Sequence, residues 1–155
     1  MKIIKAKDIH VPEIVGLWKE LMDFHKNLDT RWSRSENGHV GYEKFLTDSM
    51  KSKDTMLIVA VDNGHVVGYT HSLIKNSPLN TLENDTSCYI TDMAVTSKYR
   101  REGIGEMMLD KIQKWLILRN VNRIELNVAV KNQIGYAFWK KQGFRDFSHN
   151  LYKKL

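Results

Sequence analysis

A short run of basic residues and glycines, residues 99–106, has the composition of a phosphate-binding loop. Arg100 and Arg101 offer charged, forked donors that match phosphate oxygens. Gly103 and Gly105 lack a Cβ atom, so a ligand can approach their backbone closely and positive φ angles are allowed. The spacing Arg-x-x-Gly-x-Gly therefore predicts an anion site that suits a phosphate-bearing cofactor.

Two other phosphate motifs do not fit the same residues. A Walker A loop requires Gly-Lys-Ser/Thr at its end, whereas Glu106, Met107 and Met108 follow Gly105 here. A dinucleotide-binding fingerprint requires a third glycine at the position that Met108 occupies. Neither a nucleotide-triphosphate loop nor a dinucleotide fold is therefore predicted.

The elements around this run must position it. Residues 88–95 form a strand-like run, and residues 104–118 form a long amphipathic segment that predicts a helix. A strand, a glycine turn and a helix in this order bring the free N–H groups of a helix N-terminus to where a phosphate can bind.

With these residues the chain resembles the GNAT superfamily of N-acetyltransferases, which use acetyl-CoA. Residues 92–105 are similar to the family's fourth strand and pyrophosphate loop. A second block resembles the family's N-x-x-A-x-x-F-Y-x-x-x-G-F segment, and it comprises Asn132, Gly135, Phe138, Trp139, Gly143 and Phe144. The resemblance covers nearly the whole chain, and its specific motifs lie within residues 88–145.

The resemblance implies a fold and an activity. The fold is α/β of the α+β type, with a mixed, mostly antiparallel central sheet that is flanked by about four helices and splayed between strands 4 and 5. Residues 1–155 would form a single N-acetyltransferase domain. The enzyme would transfer an acetyl group from acetyl-CoA, its co-substrate, to a primary amine by direct attack in a ternary complex. The alternative is a non-catalytic acyl-CoA-binding or regulatory module on the same fold.

The resemblance also implies which residues hold the cofactor. Backbone groups of Met93 and Val95 would pair with the pantetheine arm, and a backbone N–H there would hold the thioester oxygen. Asn132 would contact the cofactor from the following helix, next to Trp139. The residues expected around the pyrophosphate are Arg100, Arg101, Glu102, Gly103, Ile104, Gly105 and Glu106.

Acetyl transfer to an amine needs a base, and Asp92 lies where many relatives carry an acid. It would deprotonate the amine directly or through water, or attract the cation; a structural carboxylate is an equal alternative. Relatives commonly supply a general acid from a tyrosine seven residues after the asparagine, and here that residue is Trp139. An indole N–H cannot protonate a thiolate. Tyr136, one helical turn earlier, is a candidate substitute, with packing or cofactor stacking as the alternative.

The N-terminal half is expected to recognise the amine acceptor, a small molecule or a peptide. Its candidate residues are Trp18, Met22, His25, Asp29, Trp32 and the loop 33–41. The acceptor class stays open among polyamines, aminoglycosides, amino acids and proteins. His25 is interpreted as a residue packed near the core rather than as a base. His71 is a candidate for lining the groove, with a place in the strand interior as the alternative.

Composition limits the other possibilities. A chain of 155 residues with 42% apolar content predicts one domain with a packed core. No apolar run reaches the roughly 20 residues of a membrane span, and residues 1–5 lack the apolar region of a signal peptide. A single cysteine, Cys88, suits a reducing compartment, so a cytoplasmic location is expected. The six histidines show no metal-ligand spacing, and no metal is predicted.

The positive charge is unevenly distributed. Residues 1–75 carry 11 Lys/Arg against 10 Asp/Glu, whereas residues 76–155 carry 13 against 8. The excess in the second half would favour capture of the anionic cofactor, although solvated lysines explain it equally well. No helix-turn-helix signal and no long basic run point to nucleic acid, so no nucleic acid partner is expected. Relatives are often homodimers, and a homodimer is left open.

Further elements are predicted from local patterns. Asp8 is a candidate cap for a first helix with Pro12 in its first turn, and residues 42–51 are predicted as a second helix. Asn63-Gly64 predicts a two-residue hairpin. Residues 76–86 are predicted as a surface loop, and residues 144–154 as a strand pair.

Overall fold

A computed structural model describes residues 1–76 and 86–155 of the chain. In these ranges the strands are β1 Lys2–Lys5, β2 Thr55–Asp62, β3 His65–Asn76, β4 Thr86–Val95 and β5 Ile124–Glu125. The α-helices are α1 Val11–Leu28, α2 Gly38–Ser49, α3 Ile104–Ile117 and α4 Gln133–Lys141. Short 3-10 turns lie at Asp8–His10, Thr30–Trp32 and Ser97–Tyr99. The predicted loop 76–86 falls mostly outside the described residues.

The strands form one sheet in the order β1-β2-β3-β4-β5. The first three pairings are antiparallel, and β4 pairs with β5 in parallel. The β4–β5 pairing covers only Cys88–Ile124 and Tyr89–Glu125 within the described ranges. The predicted mixed, mostly antiparallel sheet that opens between strands 4 and 5, with four helices around it, is therefore confirmed.

The sheet separates two apolar clusters. On one face, α1 and α2 pack on β2 and β3 through residues such as Ile14, Leu46 and Tyr69, all fully buried. On the other face, α3 packs through Met108 and Ile112, which are also fully buried. Alternation of side chains along the strands accounts for this division, since successive residues point to opposite faces. Both faces of the central strands are thus covered.

Local signals predicted several elements correctly. The β2–β3 hairpin turns at Asn63 (φ 48°) and Gly64 (φ 85°), as the two positive φ values of a type I′ turn require. Pro12 lies in the first turn of α1 as expected, but the N-cap position of this helix is occupied by His10, which makes no side-chain capping bond. Asp8 instead belongs to the preceding 3-10 turn, so its predicted capping role is wrong.

Two predicted boundaries are also wrong. Helix α2 begins at Gly38 and not at residue 42. Its apolar side chains that pack on the core come after its first turn, so the sequence pattern that predicts a helix becomes visible only after the helix has started. The tail 144–155 forms neither helix nor strand, and Phe147 and Leu151 are each 87% exposed. A strand pair needs an aligned ladder, and β5, with two residues, offers too short an edge for one.

Candidate functional site

A bulge in the middle of β4 shapes the candidate site. The pairing of β3 with β4 shifts so that His71 faces Asp92 while Ser72 faces Ile90, which leaves Thr91 as the extra residue. A bulge of this kind bends its strand and redirects side chains. Beyond the bulge, β4 runs toward the α3 loop without β5 beside it. The opening between the two strands becomes a cavity.

This cavity has a volume of about 880 Å³ and extends from α1 to the N-terminus of α3. Its lining comprises Leu17, Glu20, Leu21, Met22, Phe24, His25, Trp32, residues 89–95, Ser97, Tyr99, Arg100, Arg101, residues 103–106, residues 126–129, Asn132, Ile134, Gly135, Phe138, Trp139, Lys141 and Gln142. One cavity therefore joins the predicted phosphate loop to the predicted base and to part of the predicted acceptor region.

The phosphate-loop end has the backbone geometry that its sequence predicts. Gly103 is the N-cap residue of α3, with φ 78°, and it supplies no side-chain cap to the helix. The first four N–H groups of any helix lack a partner within that helix. Here the N–H groups of Ile104, Gly105 and Glu106 begin a 14-residue helix at the cavity wall. The helix dipole and these donors together favour an anion at this end.

The two glycines of the loop have different reasons to be glycine. A Cβ on Gly103 would meet no atom within 4 Å, so this residue faces open space. A Cβ on Gly105 would lie 3.0 Å from the Phe138 ring. Both glycines were predicted to allow close approach of a ligand. The open space at Gly103 is compatible with that prediction, whereas packing of α3 against α4 already requires a glycine at Gly105.

The charged residues of the loop divide into two groups. Arg100, Arg101 and Glu106 line the cavity, whereas Glu102 is exposed and does not belong to its lining. The Arg100 Nε donates a hydrogen bond to the carbonyl oxygen of Val95, at 3.0 Å. This bond holds the guanidinium across the end of β4. Arg101 has φ 68°, an uncommon value for a residue other than glycine. This conformation turns the backbone toward Gly103, two residues later.

The remaining predicted cofactor residues also lie at the cavity. Met93 and Val95 line it from β4, and Asn132 and Trp139 line it from the α4 side. The Asn132 side chain accepts a hydrogen bond from the N–H of Gly135 at 2.9 Å and so caps α4. This bond uses the side-chain oxygen and leaves the amide nitrogen as its remaining donor group.

Asp92 is a half-buried carboxylate at the edge of this cavity. Its Oδ2 accepts hydrogen bonds from the Tyr42 hydroxyl at 3.1 Å and from the Thr91 hydroxyl at 3.0 Å. Tyr42 is held in turn by a stacked contact with Trp18, with ring centroids 4.5 Å apart. Burial raises the pKa of Asp92 above its usual range, while the bonds from Thr91 and Tyr42 and the charge of His25 partly oppose that rise. A carboxyl group with a raised pKa is better matched to accepting a proton from an amine.

His25 lines the cavity, in the region expected to recognise the acceptor, although it was also interpreted as a residue packed near the core rather than as a base. Its Nδ1 lies 3.0 Å from the carbonyl oxygen of Leu21. Because a carbonyl only accepts, Nδ1 carries the hydrogen and Nε2 has a free lone pair when the ring is neutral. The ring lies beside Trp32, with centroids 5.6 Å apart. The sequence signal for this position was the four-residue spacing between Leu21 and His25, which places both on the same side of α1.

Two predicted residues are not brought to the cavity. The Tyr136 hydroxyl donates to the Asp146 carboxylate at 3.0 Å, and Tyr136 is 40% exposed outside the cavity lining. The structure therefore does not bring Tyr136 together with Asp92, and its role as general acid stays a prediction without geometric support. His71 is fully buried and also outside the lining. His71 therefore lies in the strand interior, which was the alternative expectation, and does not line the groove.

The described residues also bear on metals and membranes. Among them, no three His, Cys, Asp or Glu side chains come close enough to hold a metal ion. No helix in the same ranges is both long and apolar enough to cross a bilayer.

A family comparison matches most of the chain. A sequence model described as the acetyltransferase (GNAT) family matches residues 17–144. Similar curated proteins include a probable N-acetyltransferase, san, from Drosophila melanogaster, 31% identical over 73% of this chain and 60% of its own length. An N-alpha-acetyltransferase from Sulfurisphaera tokodaii is 29% identical over 66% of this chain and 64% of its own length. The chain thus spans less than two thirds of these relatives.

Solved structures share the fold at low sequence identity. A tetramutant of the BH1408 protein from Bacillus halodurans has a TM-score of 0.90 and 22% identity, over the whole of both chains. The aminoglycoside N-acetyltransferase AAC(6')-Iy in complex with CoA has a TM-score of 0.75 and 14% identity, over 99% of this chain and 98% of its own. These similarities establish the shared architecture.

Proposed function

Because this chain belongs to the acetyltransferase (GNAT) family, we propose that it transfers an acetyl group from acetyl-CoA to a primary amine by direct attack in a ternary complex. The observation that carries the proposal is the single cavity that joins the uncapped start of α3 to the Asp92 carboxylate. One end suits a diphosphate and the other suits an amine. A transfer reaction needs both substrates in one groove.

The cofactor end fits the diphosphate of CoA. The open space at Gly103 leaves room for a phosphate against the first amides of α3. Arg100 and Arg101 border the same end of the cavity and supply the positive charge. The backbone of β4 between Met93 and Val95 has no β5 partner beside it and leads from there toward Asp92. Acetyl-CoA contributes the acetyl group as a reactive thioester, and the chain orients it along this strand.

The acceptor end has the charge and shape for a cationic amine. The carboxylates of Glu20 and Asp92 lie on this part of the wall, beside the aromatic rings of Phe24 and Trp32. An ammonium group is attracted by both features. Asp92 accepts the proton that the amine must lose before its nitrogen can attack. The departing thiol has a pKa of about 8.5, so its thiolate can leave without a proton from Tyr136.

Thiol release from acetyl-CoA tests this function directly. The panel of acceptors should hold polyamines, aminoglycosides, amino acids and peptides with a free N-terminus. We expect at least one class to raise saturable thiol release above hydrolysis and to form an acetylated product detectable by mass spectrometry. If no amine does so while CoA still binds, the non-catalytic acyl-CoA-binding module is the better description. Trp139 in place of the family's tyrosine is the observation that favours that second candidate.

Arg100→Ala tests the cofactor end. We expect the variant to bind CoA about 1.5–3 kcal/mol more weakly, since it loses a charge-assisted bond to phosphate. Lys98→Ala is the matched control, because Lys98 is exposed in the adjacent turn and does not line the cavity. Calorimetric titration with CoA measures both. Equal affinities of the two variants would remove Arg100 from the site.

A further inference from the structure

Four side chains form a continuous line of hydrogen bonds that starts at the cavity and leads away from it. Asp92 Oδ2 lies 3.0 Å from the Thr91 hydroxyl, and that hydroxyl lies 2.8 Å from His71 Nδ1. His71 Nε2 lies 3.1 Å from the Ser49 hydroxyl. Asp92 and Thr91 line the cavity, whereas His71 and Ser49 do not. Ser49 is partly exposed at the end of α2.

The β4 bulge makes this line possible. In a regular strand, neighbouring side chains point to opposite faces of the sheet. The extra residue at Thr91 instead brings its hydroxyl beside the carboxylate of Asp92 and opposite His71 on β3. Helix α2 covers the line, with the Phe45 ring 4.8 Å from the His71 ring. The line thus crosses the interior between the sheet and α2.

His71 has the protonation state that proton transfer requires. Burial lowers its pKa to about 4, so the ring is neutral near pH 7. A neutral imidazole accepts at one nitrogen and donates at the other. A hydroxyl has one proton, so Thr91 donates to Asp92 while that carboxylate is ionised, and it can donate to His71 Nδ1 once Asp92 carries a proton. In that second arrangement Nε2 donates to Ser49, and the ring links the two hydroxyls in one direction.

Amine acetylation releases a proton, and a line of hydrogen bonds can carry that proton away. An ammonium group and a thioester become an amide and a thiol, so each turnover releases one proton. In the proposed ternary complex both substrates would fill the cavity that Asp92 lines, and they would then separate Asp92 from the solvent at its mouth. The proton accepted by Asp92 then needs another way out.

We propose that Thr91, His71 and Ser49 form a relay that carries this proton from Asp92 to solvent beside α2. The Asp92 O–H bond breaks as a Thr91 O–H bond forms, and the Thr91 proton moves to His71 Nδ1. The Nε2 proton of His71 passes to Ser49, whose own proton goes to water. No oxidant or further reactant is needed. The relay rests on the proposed function, because it disposes of the proton that amine acetylation releases.

The other groups around the relay do not offer the same exit. Asp92 also faces the hydroxyl of Tyr42, which lies 3.3 Å from the hydroxyl of Tyr69. Burial raises the pKa of both phenols, and these two hydroxyls lead into the core beside Trp18 and not to the surface. The charge of His25 acts on Asp92 from the α1 side, inside the cavity that the substrates fill.

Thr91→Val breaks the relay without changing the size of the side chain. Its matched control is Thr70→Val, because Thr70 is fully buried and its hydroxyl donates to the backbone carbonyl of the same Asp92, at 3.0 Å. We expect Thr91→Val to lower kcat about tenfold with KM unchanged, and Thr70→Val to stay within about twofold of the parent protein. Imidazole added to the buffer should partly restore kcat in Thr91→Val alone.

Ser49→Ala separates the relay from a direct effect on the carboxylate, since Ser49 does not contact Asp92. We expect a roughly threefold lower kcat, rescue by imidazole and a larger solvent deuterium isotope effect than in the parent protein. A Ser49→Ala variant with parent kcat and isotope effect, or equal losses in Thr91→Val and Thr70→Val, would overturn the relay. Failure of the proposed function differs visibly, because the parent protein itself would then release no thiol with any amine.

Discussion

We expect Asp92→Asn to lower kcat/KM for acetyl transfer by about 10²–10⁴-fold, the range that a positioned general base contributes. An amide cannot accept the proton of the ammonium group, yet its oxygen can still accept hydrogen bonds from Tyr42 and Thr91. CoA affinity should stay within about twofold, because the phosphate loop is untouched. Thiol release and calorimetry with CoA measure the two effects.

The control for this variant is Asp110→Asn. Asp110 is an exposed acid on α3 that pairs with Lys114 and does not line the cavity, so its loss should leave turnover unchanged. If Asp92→Asn retains the parent turnover, Asp92 is a structural carboxylate. If Asp92→Asn and the parent protein both bind CoA and neither turns over any amine, the regulatory alternative holds.

The same substitution has an expected effect on stability with a definite sign. Burial raises the folded-state pKa of Asp92 above 3.8, its ordinary value. The folded protein therefore holds the proton more tightly than the unfolded chain, and stability falls as pH rises from 3.8 through the raised pKa. Asp92→Asn should lack this fall and show an equal or higher Tm at neutral pH. Lower activity with a higher Tm would separate catalysis from misfolding.

Local sequence signals account for the parts of the site that lie close together in the chain. The hairpin at Asn63-Gly64 needed only two residues with positive φ. The strand, loop and helix around Gly103 lie within a run of about thirty residues, so local patterns were enough to predict them. The structure contains these three elements in the predicted order. Such features depend on backbone conformation and periodicity, which a sequence displays directly.

Contacts between distant residues account for the features that sequence patterns did not predict. Tyr42 and Asp92 are 50 residues apart, and no local pattern links them. The bulge that brings Thr91 to His71 depends on the register between β3 and β4 and not on either strand alone. Gly105 shows the same limit, since its reason to be glycine is the Phe138 ring of another helix. Periodicity predicts which face is buried, but it does not predict which side chains meet there.

We expect Gly103→Val to weaken CoA binding by at least about tenfold, or roughly 1.4 kcal/mol, while the protein remains folded. The new side chain meets no protein atom at its Cβ and points into open space. It would occupy the room that a phosphate needs to reach the amides of Ile104 and Gly105. Its positive φ of 78° adds backbone strain of about 1–2 kcal/mol that must be accounted for separately.

Gly64→Val is the matched control for that strain. Gly64 has φ 85°, its Cβ would also meet no atom within 4 Å, and it lies in the β2–β3 turn outside the cavity lining. Both variants should therefore lose similar stability in thermal unfolding, but only Gly103→Val should lose CoA affinity in calorimetry. The comparison isolates the approach of the ligand to the α3 amides from the cost of the backbone conformation. A folded Gly103→Val protein that binds CoA as tightly as Gly64→Val would show that the diphosphate does not bind at the start of α3.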